Sequence, residues 1–280
     1  MNTFVLDNIN LNLDTILLGG QSFSWCKINN FYYGIVEDNI IKIRQLGNKL
    51  YWQTFPEKDN YKLFNSYFQI DNLYKNLNLI DNLRIKDDYI RKAVKYLGYL
   101  IILKQPIFQT TISFIISSNR NIPLIRQSIQ NFCVYYGEKI IVDDIIFYTF
   151  PNLDKLIQID EHILRYQTKI GYRSQYVKSA LEFFTNQNVF VQKSDLLSIK
   201  GIGNKIADCI AVFSLGERHV TPLDVWAKRA LEKYYSINHK IKYEDCQKWL
   251  QNYFGRENVA IAGQYLFEYI RIFYKTKNFP

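Results

Sequence analysis

The spacing of apolar residues changes once along the chain, and this change limits the folds open to it. Three short runs, Phe31–Glu37, Ile40–Arg44 and Leu50–Phe55, are rich in apolar and aromatic residues, and short polar turns separate them. Strands this closely spaced predict an antiparallel meander, because parallel strands need long crossover connections. After Phe55 the spacing becomes helical. The first third is therefore predicted to be sheet and the remainder helix.

The helical part predicts an all-helical body. Asp88–Leu97 ends at Gly98, a residue type typical of helix C-termini, and no low-complexity linker or internal repeat follows. Beyond Pro106 the spacing predicts helices at 107–117, 122–136, 161–170, 174–185, 203–215, 225–235, 243–254 and 257–274. We therefore predict an α+β fold class: a small N-terminal antiparallel β-sheet domain with flanking helices over residues 1–105, then a helical domain over 106–280.

The charge of the chain indicates a polyanionic partner. Lys and Arg number 35 and Asp and Glu 26, which gives a net charge of +9 and a pI near 9.1. Nucleic acid is the first candidate and an anionic membrane surface the second. Since no apolar run reaches the roughly 18 to 20 residues of a membrane span, we predict no membrane insertion. With 48% hydrophobic residues the chain can bury a core, which excludes global disorder.

The four cysteines, Cys26, Cys133, Cys209 and Cys246, stand singly. This spacing is neither a disulfide framework nor a paired metal or iron–sulfur motif. The N-terminus has no basic region followed by an apolar stretch and a cleavage site. We therefore predict a cytoplasmic protein with reduced thiols, no metal and no cofactor.

Gly201-Ile-Gly203 lies between two predicted helices and immediately before an apolar one. Glycine lets the backbone turn tightly and approach another surface closely. The N–H groups at the start of the next helix then suit a phosphate. A lone pair of glycines is also compatible with a plain interhelical turn. In a chain of charge +9, the arrangement favours a helix-hairpin-helix, which binds the DNA backbone without reading its sequence.

Downstream of this hairpin, Lys205 and Asp224 are candidates for covalent chemistry. Lys205 begins the apolar helix, where burial and the helix N-terminus both predict a lowered pKa; a neutral amine can form a Schiff base. Asp224 opens the next helix, where an ordinary N-cap is the alternative reading. The helix 204–215 is about 18 Å long. The connection 216–223 spans up to about 26 Å, so both side chains can face one cleft.

These features resemble the bifunctional branch of the helix-hairpin-helix glycosylase superfamily. Within it the chain resembles an 8-oxoguanine DNA glycosylase/AP lyase of the bacterial type. The resemblance extends almost end to end. The motifs that carry it are Gly19-Gly-Gln-Ser-Phe-Ser-Trp25, Tyr67-Phe-Gln-Ile-Asp71, Ser117-Ser-Asn-Arg-Asn-Ile122 and Gly171-Tyr-Arg173.

The resemblance implies a base excision repair enzyme that acts as a monomer on double-stranded DNA containing 8-oxoguanine, in a bacterial cytoplasm. Lys205 would attack C1′ of the damaged nucleotide and become a Schiff base, and Asp224 would stabilise the charge developing on the sugar. The target base must leave the duplex. Tyr172 would wedge into the stack, and Asn119 with Arg173 would read the widowed cytosine.

The resemblance also implies a pocket for the damaged base. The carbonyl of Gly20 would accept a hydrogen bond from N7–H of 8-oxoguanine, whereas N7 of guanine is itself an acceptor. Cys209 and Phe267 would form the two walls. Without the resemblance, a small core residue and an ordinary core aromatic are the simpler readings of Cys209 and Phe267.

Three positions depart from the pattern of many relatives. Gly263 stands where they have a glutamine that reads the Watson–Crick edge, with Gln264 beside it, about 100° around a helix. Either the alignment shifts there and Gln264 is the reader, or the contact is lost. Trp226 and Leu124 replace a histidine and an arginine found in many eukaryotic members.

Two alternative functions stay open from the sequence. The first is another glycosylase of the superfamily, for mismatched adenine or oxidised pyrimidines. Most of those carry a four-cysteine iron–sulfur motif, which this chain lacks. The second is a non-catalytic DNA-binding module that uses only the hairpin, against which the presence of both Lys205 and Asp224 argues.

Overall fold

The computed structural model describes residues 4–186, 191–238 and 240–276. Its N-terminal part contains a five-stranded antiparallel sheet in the order β1-β5-β4-β3-β2. The strands are β1 Phe4–Leu6, β2 Trp25–Ile28, β3 Phe31–Val36, β4 Asn39–Leu46 and β5 Lys49–Phe55. The predicted meander is its centre, and the two strands that sequence reasoning missed are short and lie at the sheet's edges. The α+β prediction is confirmed.

Helices make up most of the remaining chain, as predicted. Four belong to the N-terminal third: α1 Leu13–Leu18, α2 Tyr61–Phe68, α3 Leu73–Lys86 and α4 Asp88–Leu97. Those that follow are α5 Ile107–Ser117, α6 Ile122–Tyr136, α7 Leu153–Ile157, α8 Glu161–Thr168, α9 Ser174–Asn186, α10 Lys193–Leu196, α11 Asn204–Ile210, α12 Val225–Tyr235, α13 Tyr243–Phe254 and α14 Val259–Thr276. No helix in the described part of the chain is long and apolar enough to cross a bilayer.

A second, two-stranded sheet lies within the helical body, so the prediction of an all-helical body after Pro106 was wrong in this segment. Its strands are β6 Lys139–Val142 and β7 Ile145–Tyr148. Asp143 and Asp144 join them with φ of 51° and 62°, the left-handed geometry that two-residue hairpin turns require. Asp143 also accepts a hydrogen bond from Tyr33 of the first sheet at 2.9 Å. The hairpin therefore gains its stability from a distant strand, which local spacing does not show.

Two large hydrophobic cores lie side by side. The first joins the five-stranded sheet to α12–α14 and buries Trp52, Leu231 and Tyr265 together. The second is built from α5, α6, α8, α9 and α11. The first core contains residues from both sides of residue 105, and the division of the chain at that position stays a prediction.

Most contacts of the Gly19–Trp25 motif are structural. The Trp25 indole N–H donates to the Tyr67 hydroxyl at 2.9 Å, so two of the sequence motifs contact each other directly. The amide of Gln21 donates to the carbonyl of Ile101 at 3.0 Å and accepts from the N–H of Leu103. These buried contacts fix the loop that carries the two glycines, because satisfied buried polar groups permit few alternative arrangements.

Candidate active site

The hairpin between α10 and α11 has the geometry that its glycines predict. Gly201 has φ of +91°, and a Cβ there would lie 2.3 Å from the Tyr176 ring, so only glycine fits. Gly203 directly precedes α11, and nothing lies within 4 Å of where its Cβ would stand. Both glycines are exposed, so the backbone of this turn faces solvent. The predicted single helix over 203–215 was wrong in one respect: α11 ends at Ile210 and a π-helical turn follows.

A cavity of about 220 Å³ opens where α11, α14 and the start of α12 meet. The predicted catalytic and base-binding residues all line it. They are Gly20, Lys205, Cys209, Asp224, Gln264 and Phe267. The predicted DNA-binding residues do not line it. They are Asn119, Tyr172, Arg173, Gly201 and Gly203.

A buried hydrogen-bond network fixes Lys205 relative to Asp224, and sequence reasoning did not find it. Asp208, on α11, is fully buried, and its carboxylate accepts a hydrogen bond from the Gln247 amide at 2.8 Å. The same amide donates to the carbonyl of Thr221 at 2.6 Å and accepts from the Thr221 N–H at 3.3 Å. The helix that carries Lys205 and the segment that ends at Asp224 are therefore tied to one side chain of α13.

Asp224 is the N-cap of α12, as the simpler reading proposed, and it also faces the cavity. Its Oδ1 accepts hydrogen bonds from the N–H groups of Trp226 at 2.9 Å and Ala227 at 2.8 Å. No described residue donates to Oδ2. Burial raises the pKa of Asp224 above its ordinary value, and the hydrogen bond from Ala227 opposes that rise. Helix capping thus engages Oδ1 of Asp224, and Oδ2 stays available to a group bound in the cavity.

Lys205 is half-buried, and its Nζ lies 5.9 Å from the centre of the Phe114 ring. Burial by itself would lower the pKa of Lys205, but the Cys209 sulfur and the Asp224 carboxylate beside it raise that pKa above its ordinary value. The predicted lowering was therefore wrong for the protein without DNA. Burial raises the pKa of the Cys209 thiol to about 11. At neutral pH the site accordingly holds an ammonium group and a neutral thiol.

The pH dependence of excision should reveal this coupling. Only the neutral amine attacks, so kcat/KM should rise with pH. The midpoint of that rise gives the pKa of Lys205 in the free enzyme. Since Cys209 raises the pKa of Lys205, Cys209→Ala should move that midpoint to lower pH, and Cys209→Ser should move it less. Rates under subsaturating conditions across the pH range measure the midpoint. An unchanged midpoint, or a shift to higher pH, would contradict the coupling.

Close packing against α14 explains the glycines at two pocket positions. A Cβ at Gly20 would lie 2.5 Å from the Phe267 ring. A Cβ at Gly263 would lie 2.0 Å from Thr221 Oγ1, so no side chain fits there. Gly263 and Gln264 both line the cavity, and Gln264 is buried. Position 263 therefore has no room for the glutamine of many relatives, and Gln264 as the reader of the Watson–Crick edge stays a prediction.

The residues predicted to act on the DNA helix lie together beside the cavity. Asn119 is exposed and has φ of 49°. Arg173 is buried, and its guanidinium donates to the carbonyls of Ser118 and Asn119. The same group lies 4.5 Å from the centre of the Tyr172 ring, and Tyr172 is 45% exposed. Arg173 therefore supports the Asn119 turn in the protein without DNA, and most of its donors are engaged there.

Among the further residues that line the cavity are Phe114, Arg120 and Arg271, to which the sequence analysis assigned no role. Arg271 follows Phe267 by four residues on α14, so helical spacing could have placed it on the same face. Arg120 donates to the Ser128 hydroxyl and to a backbone carbonyl, each at 2.9 Å. No sequence signal marks Phe114, which lies in an almost wholly buried helix.

The chemistry of the donor groups gives no sign of a metal centre. Among the described residues, no group of three or more His, Cys, Asp or Glu side chains converges as metal ligands would. The four cysteines are free thiols. The reactive groups at the cavity are an amine, a carboxylate and a thiol.

A lysine and an aspartate that share a cavity behind an exposed glycine hairpin are the arrangement of a helix-hairpin-helix DNA glycosylase. Comparison with known proteins identifies the branch. Residues 3–110 match the family described as 8-oxoguanine DNA glycosylase, N-terminal domain. The 8-oxoguanine glycosylase/lyase of Clostridium acetobutylicum, solved with double-stranded DNA containing cytosine opposite 8-oxoguanine, superposes with a TM-score of 0.86. It is 26% identical, over 97% of this chain and 96% of that one. By these matches the chain is similar to the 8-oxoguanine DNA glycosylase/lyases.

Curated relatives at similar sequence identity carry the same kind of name. The N-glycosylase/DNA lyase of Saccharomyces cerevisiae is 26% identical over 269 residues, which cover 81% of this chain and 69% of the relative. The N-glycosylase/DNA lyase of Arabidopsis thaliana is 24% identical over 79% of this chain and 66% of its own length. The matched region thus spans about two thirds of these relatives. The 3-methyladenine DNA glycosylase of Archaeoglobus fulgidus, 18% identical with a TM-score of 0.74, shares the fold.

Proposed function

We propose that this protein removes 8-oxoguanine from duplex DNA through a Schiff base on Lys205 and then nicks the strand by β-elimination. The observation that carries the proposal is the cavity that Lys205 and Asp224 share. Relatives that superpose over nearly the whole chain bear the name of this activity. We further propose that it acts as a monomer on DNA in a bacterial cytoplasm, in line with the bacterial relative.

The residues divide the chemistry between them. Lys205 loses its proton and its Nζ attacks C1′ of the flipped nucleotide; the bond from C1′ to the base then breaks, and the base leaves with the electron pair. The sugar carries positive charge as that bond lengthens, and the Asp224 carboxylate stabilises it by preorganised electrostatics. The C1′–O4′ bond of the resulting aminal then breaks, O4′ takes up a proton, and C1′ and Nζ form a Schiff base. The Schiff base acidifies the neighbouring C2′, so loss of a proton there expels the 3′ phosphate.

The pocket selects the damaged base by hydrogen bonding. The Gly20 carbonyl meets N7–H of 8-oxoguanine, and in guanine it would face the lone pair of N7 instead. A site built to pair with a donor rejects the analogue that lacks it far more strongly than shape alone can. Cys209 and Phe267 both line the same cavity and supply its apolar surface.

Covalent trapping tests the proposal in one experiment. Borohydride should reduce the Lys205 Schiff base and yield a stable complex with duplex containing 8-oxoguanine opposite cytosine. Parallel duplexes with a mismatched adenine or an oxidised pyrimidine test the first alternative function. Trapping on one of those instead would show a different glycosylase, and binding without any trapping would show a DNA-binding module.

Binding to undamaged duplex should depend steeply on salt. The net charge is +9, and both hairpin glycines are exposed, so phosphate contacts should dominate this binding. The logarithm of affinity should fall against the logarithm of salt concentration with a slope of about −0.9 for each phosphate neutralised. Fluorescence anisotropy with a labelled duplex measures that slope. A flat response would contradict DNA binding through the backbone.

The base opposite the lesion should be read less strictly than in relatives with an arginine at position 124. Leu124 is 43% exposed on the first turn of α6 and has no hydrogen-bond donor. The missing charge-assisted bond is worth roughly 1.5 to 3 kcal/mol, or about ten- to a hundredfold in discrimination. We expect cytosine to be the preferred partner, with adenine tolerated.

Single-turnover excision from duplexes with each of the four opposite bases measures this preference. Leu124→Arg should raise the ratio of the cytosine rate to the adenine rate. Leu124→Met, which changes the shape without adding a donor, is the matched control and should leave the ratio unchanged. A wild type that already rejects adenine as strictly as an arginine-bearing relative would contradict the interpretation.

A further inference from the structure

Glu268, on α14, is a carboxylate buried beside the base pocket. It is 0% exposed, and a buried charge is costly unless it is paired and hydrogen-bonded. Its Oε2 accepts from Arg271, whose Nε lies at 2.9 Å and whose second nitrogen also contacts it. The ion pair with Arg271 offsets the charge, so the hydrogen bonds at the other oxygen require a separate explanation.

The Oε1 atom of Glu268 contacts both residues that we assign to reading the damaged base. It accepts a hydrogen bond from the N–H of Gly20 at 2.8 Å, across 248 residues of sequence. It also lies 3.5 Å from Nε2 of Gln264, one turn earlier on α14. One carboxylate oxygen thus joins a loop of the N-terminal domain to a side chain of the last helix.

The contact with Gly20 fixes the peptide that presents the base-reading carbonyl. On one side the loop is held by Gln21, which bonds the backbone at Ile101, and on the other by Glu268. No described residue donates to the Gly20 carbonyl. Hydrogen bonds to an ionised acceptor are about twice as strong as neutral ones, so Glu268 holds this loop firmly.

The contact with Gln264 determines which end of its amide faces the cavity. An ionised carboxylate only accepts hydrogen bonds, so the amide must turn its nitrogen toward Glu268. The amide oxygen is then left for the pocket that Gln264 lines. The Watson–Crick edge of 8-oxoguanine presents donors at N1 and N2, which an amide oxygen can accept. The reverse orientation would oppose donor to donor.

We propose that Glu268 is a positioning residue that aligns the Gly20 carbonyl and the Gln264 amide oxygen for recognition of 8-oxoguanine. The inference rests on the proposed function. Glu268 itself does not line the cavity, so it acts through these two readers. Its loss should impair base recognition and leave the lysine chemistry intact.

Two substrates separate these effects. Excision from an 8-oxoguanine:cytosine duplex needs base recognition, whereas nicking of a preformed abasic duplex needs only the lysine chemistry. In Glu268→Gln, the new amide nitrogen must face either Arg271 or the Gly20 N–H, both of which are donors. Single-turnover excision should fall by about tenfold or more for the hydrogen bonds lost, and abasic nicking should stay at the wild-type rate.

A second variant and a distant control complete the test. In the double variant Glu268→Gln with Arg271→Met, Arg271 no longer donates at this position, so the amide oxygen can accept from Gly20 again. The ratio of excision to nicking should rise above that of Glu268→Gln, and Arg271→Met alone is measured beside it because Arg271 lines the cavity. Asp87→Asn is the matched control, since Asp87 is a buried carboxylate that accepts from Tyr235 and Tyr253, outside the cavity. It should lower the melting temperature and leave the ratio unchanged.

Each outcome decides the proposal. An unchanged ratio in Glu268→Gln, an equal loss of excision and nicking, or a similar change in Asp87→Asn would overturn it. If Glu268→Gln does not fold, the double variant decides, and a low ratio there would overturn the proposal. A wild type that nicks abasic DNA but leaves 8-oxoguanine in place would instead contradict the proposed function.

Discussion

Lys205→Gln should abolish base release, strand nicking and borohydride trapping together. One amine forms the bond to C1′, becomes the Schiff base and is the atom that borohydride reduction fixes to DNA. Glutamine has nearly the length of lysine but no nucleophilic amine, and its neutral amide keeps a polar group in the cavity. DNA affinity should therefore stay close to that of the wild type. Single-turnover excision, abasic nicking, borohydride trapping and gel-shift binding on the same protein preparation measure these four properties.

A second lysine on the hairpin provides the control. Lys200 precedes Gly201, is exposed and does not line the cavity. Lys200→Gln should weaken DNA binding slightly, since one cation near the phosphates is lost, and should still trap. Robust trapping by Lys205→Gln would assign the Schiff base to another lysine. Loss of trapping in both variants at saturating protein would point to a defect in DNA docking.

The elements whose ends are set by local chemistry could be predicted from the sequence. The helix expected at 122–136 is α6, because Asn121 accepts a hydrogen bond from the Leu124 N–H at 3.1 Å and caps its first turn. Asp224 defines the start of α12 in the same way. The turn at Gly201 was readable because its φ of +91° admits few residues other than glycine. In each case the determining contact lies within a few residues of the element.

The features that sequence reasoning missed depend on distant parts of the chain. The β6–β7 hairpin packs against Tyr33, more than 100 residues earlier. The pKa of Lys205 was predicted to fall because only burial and the helix N-terminus were considered, but Cys209 on the same helix and Asp224 in the same cavity favour the charged amine. Glu268 carries no motif at all, and its contact with Gly20 exists only in the folded chain. Spacing along the sequence shows which residues lie on one helix or strand. It does not show which distant residues contact them in the folded chain.

Asp224 shows how one residue can satisfy two interpretations. Its Oδ1 accepts from two backbone N–H groups and caps α12, so the N-cap reading holds. A carboxylate fixed in this way costs nothing to reorient during the reaction, which is the requirement for electrostatic stabilisation of a developing charge. Since the two roles use different oxygens, a substitution can remove the charge and keep the cap.

Asp224→Asn is that substitution, and it should slow excision by a factor on the order of 10² to 10³ while DNA affinity stays near the wild-type value. Asparagine is as good an N-cap as aspartate, so its Oδ1 keeps the hydrogen bonds to Trp226 and Ala227 and α12 stays in place. Loss of the negative charge also removes one of the two groups that raise the pKa of Lys205. More neutral amine would then be present at a given pH, which partly offsets the loss of excision rate. The loss of excision rate should therefore be largest at a pH at which Lys205 of the wild type is already deprotonated.

Asp224→Ser separates the cap from the charge by a second route. Serine also caps helices well, so the melting temperature of Asp224→Ser should stay close to that of the wild type. Because serine carries no negative charge, the excision rate of this variant should fall as far as that of Asp224→Asn. Asp224→Ala removes both functions and should in addition lose about 0.5 to 2 kcal/mol of stability. Single-turnover rates, gel-shift affinities and thermal unfolding of the three variants give the comparison. If the excision rates instead follow stability, with Asn and Ser near wild type and only Ala impaired, then Asp224 acts as a cap alone and the charge needed at the sugar must come from another group.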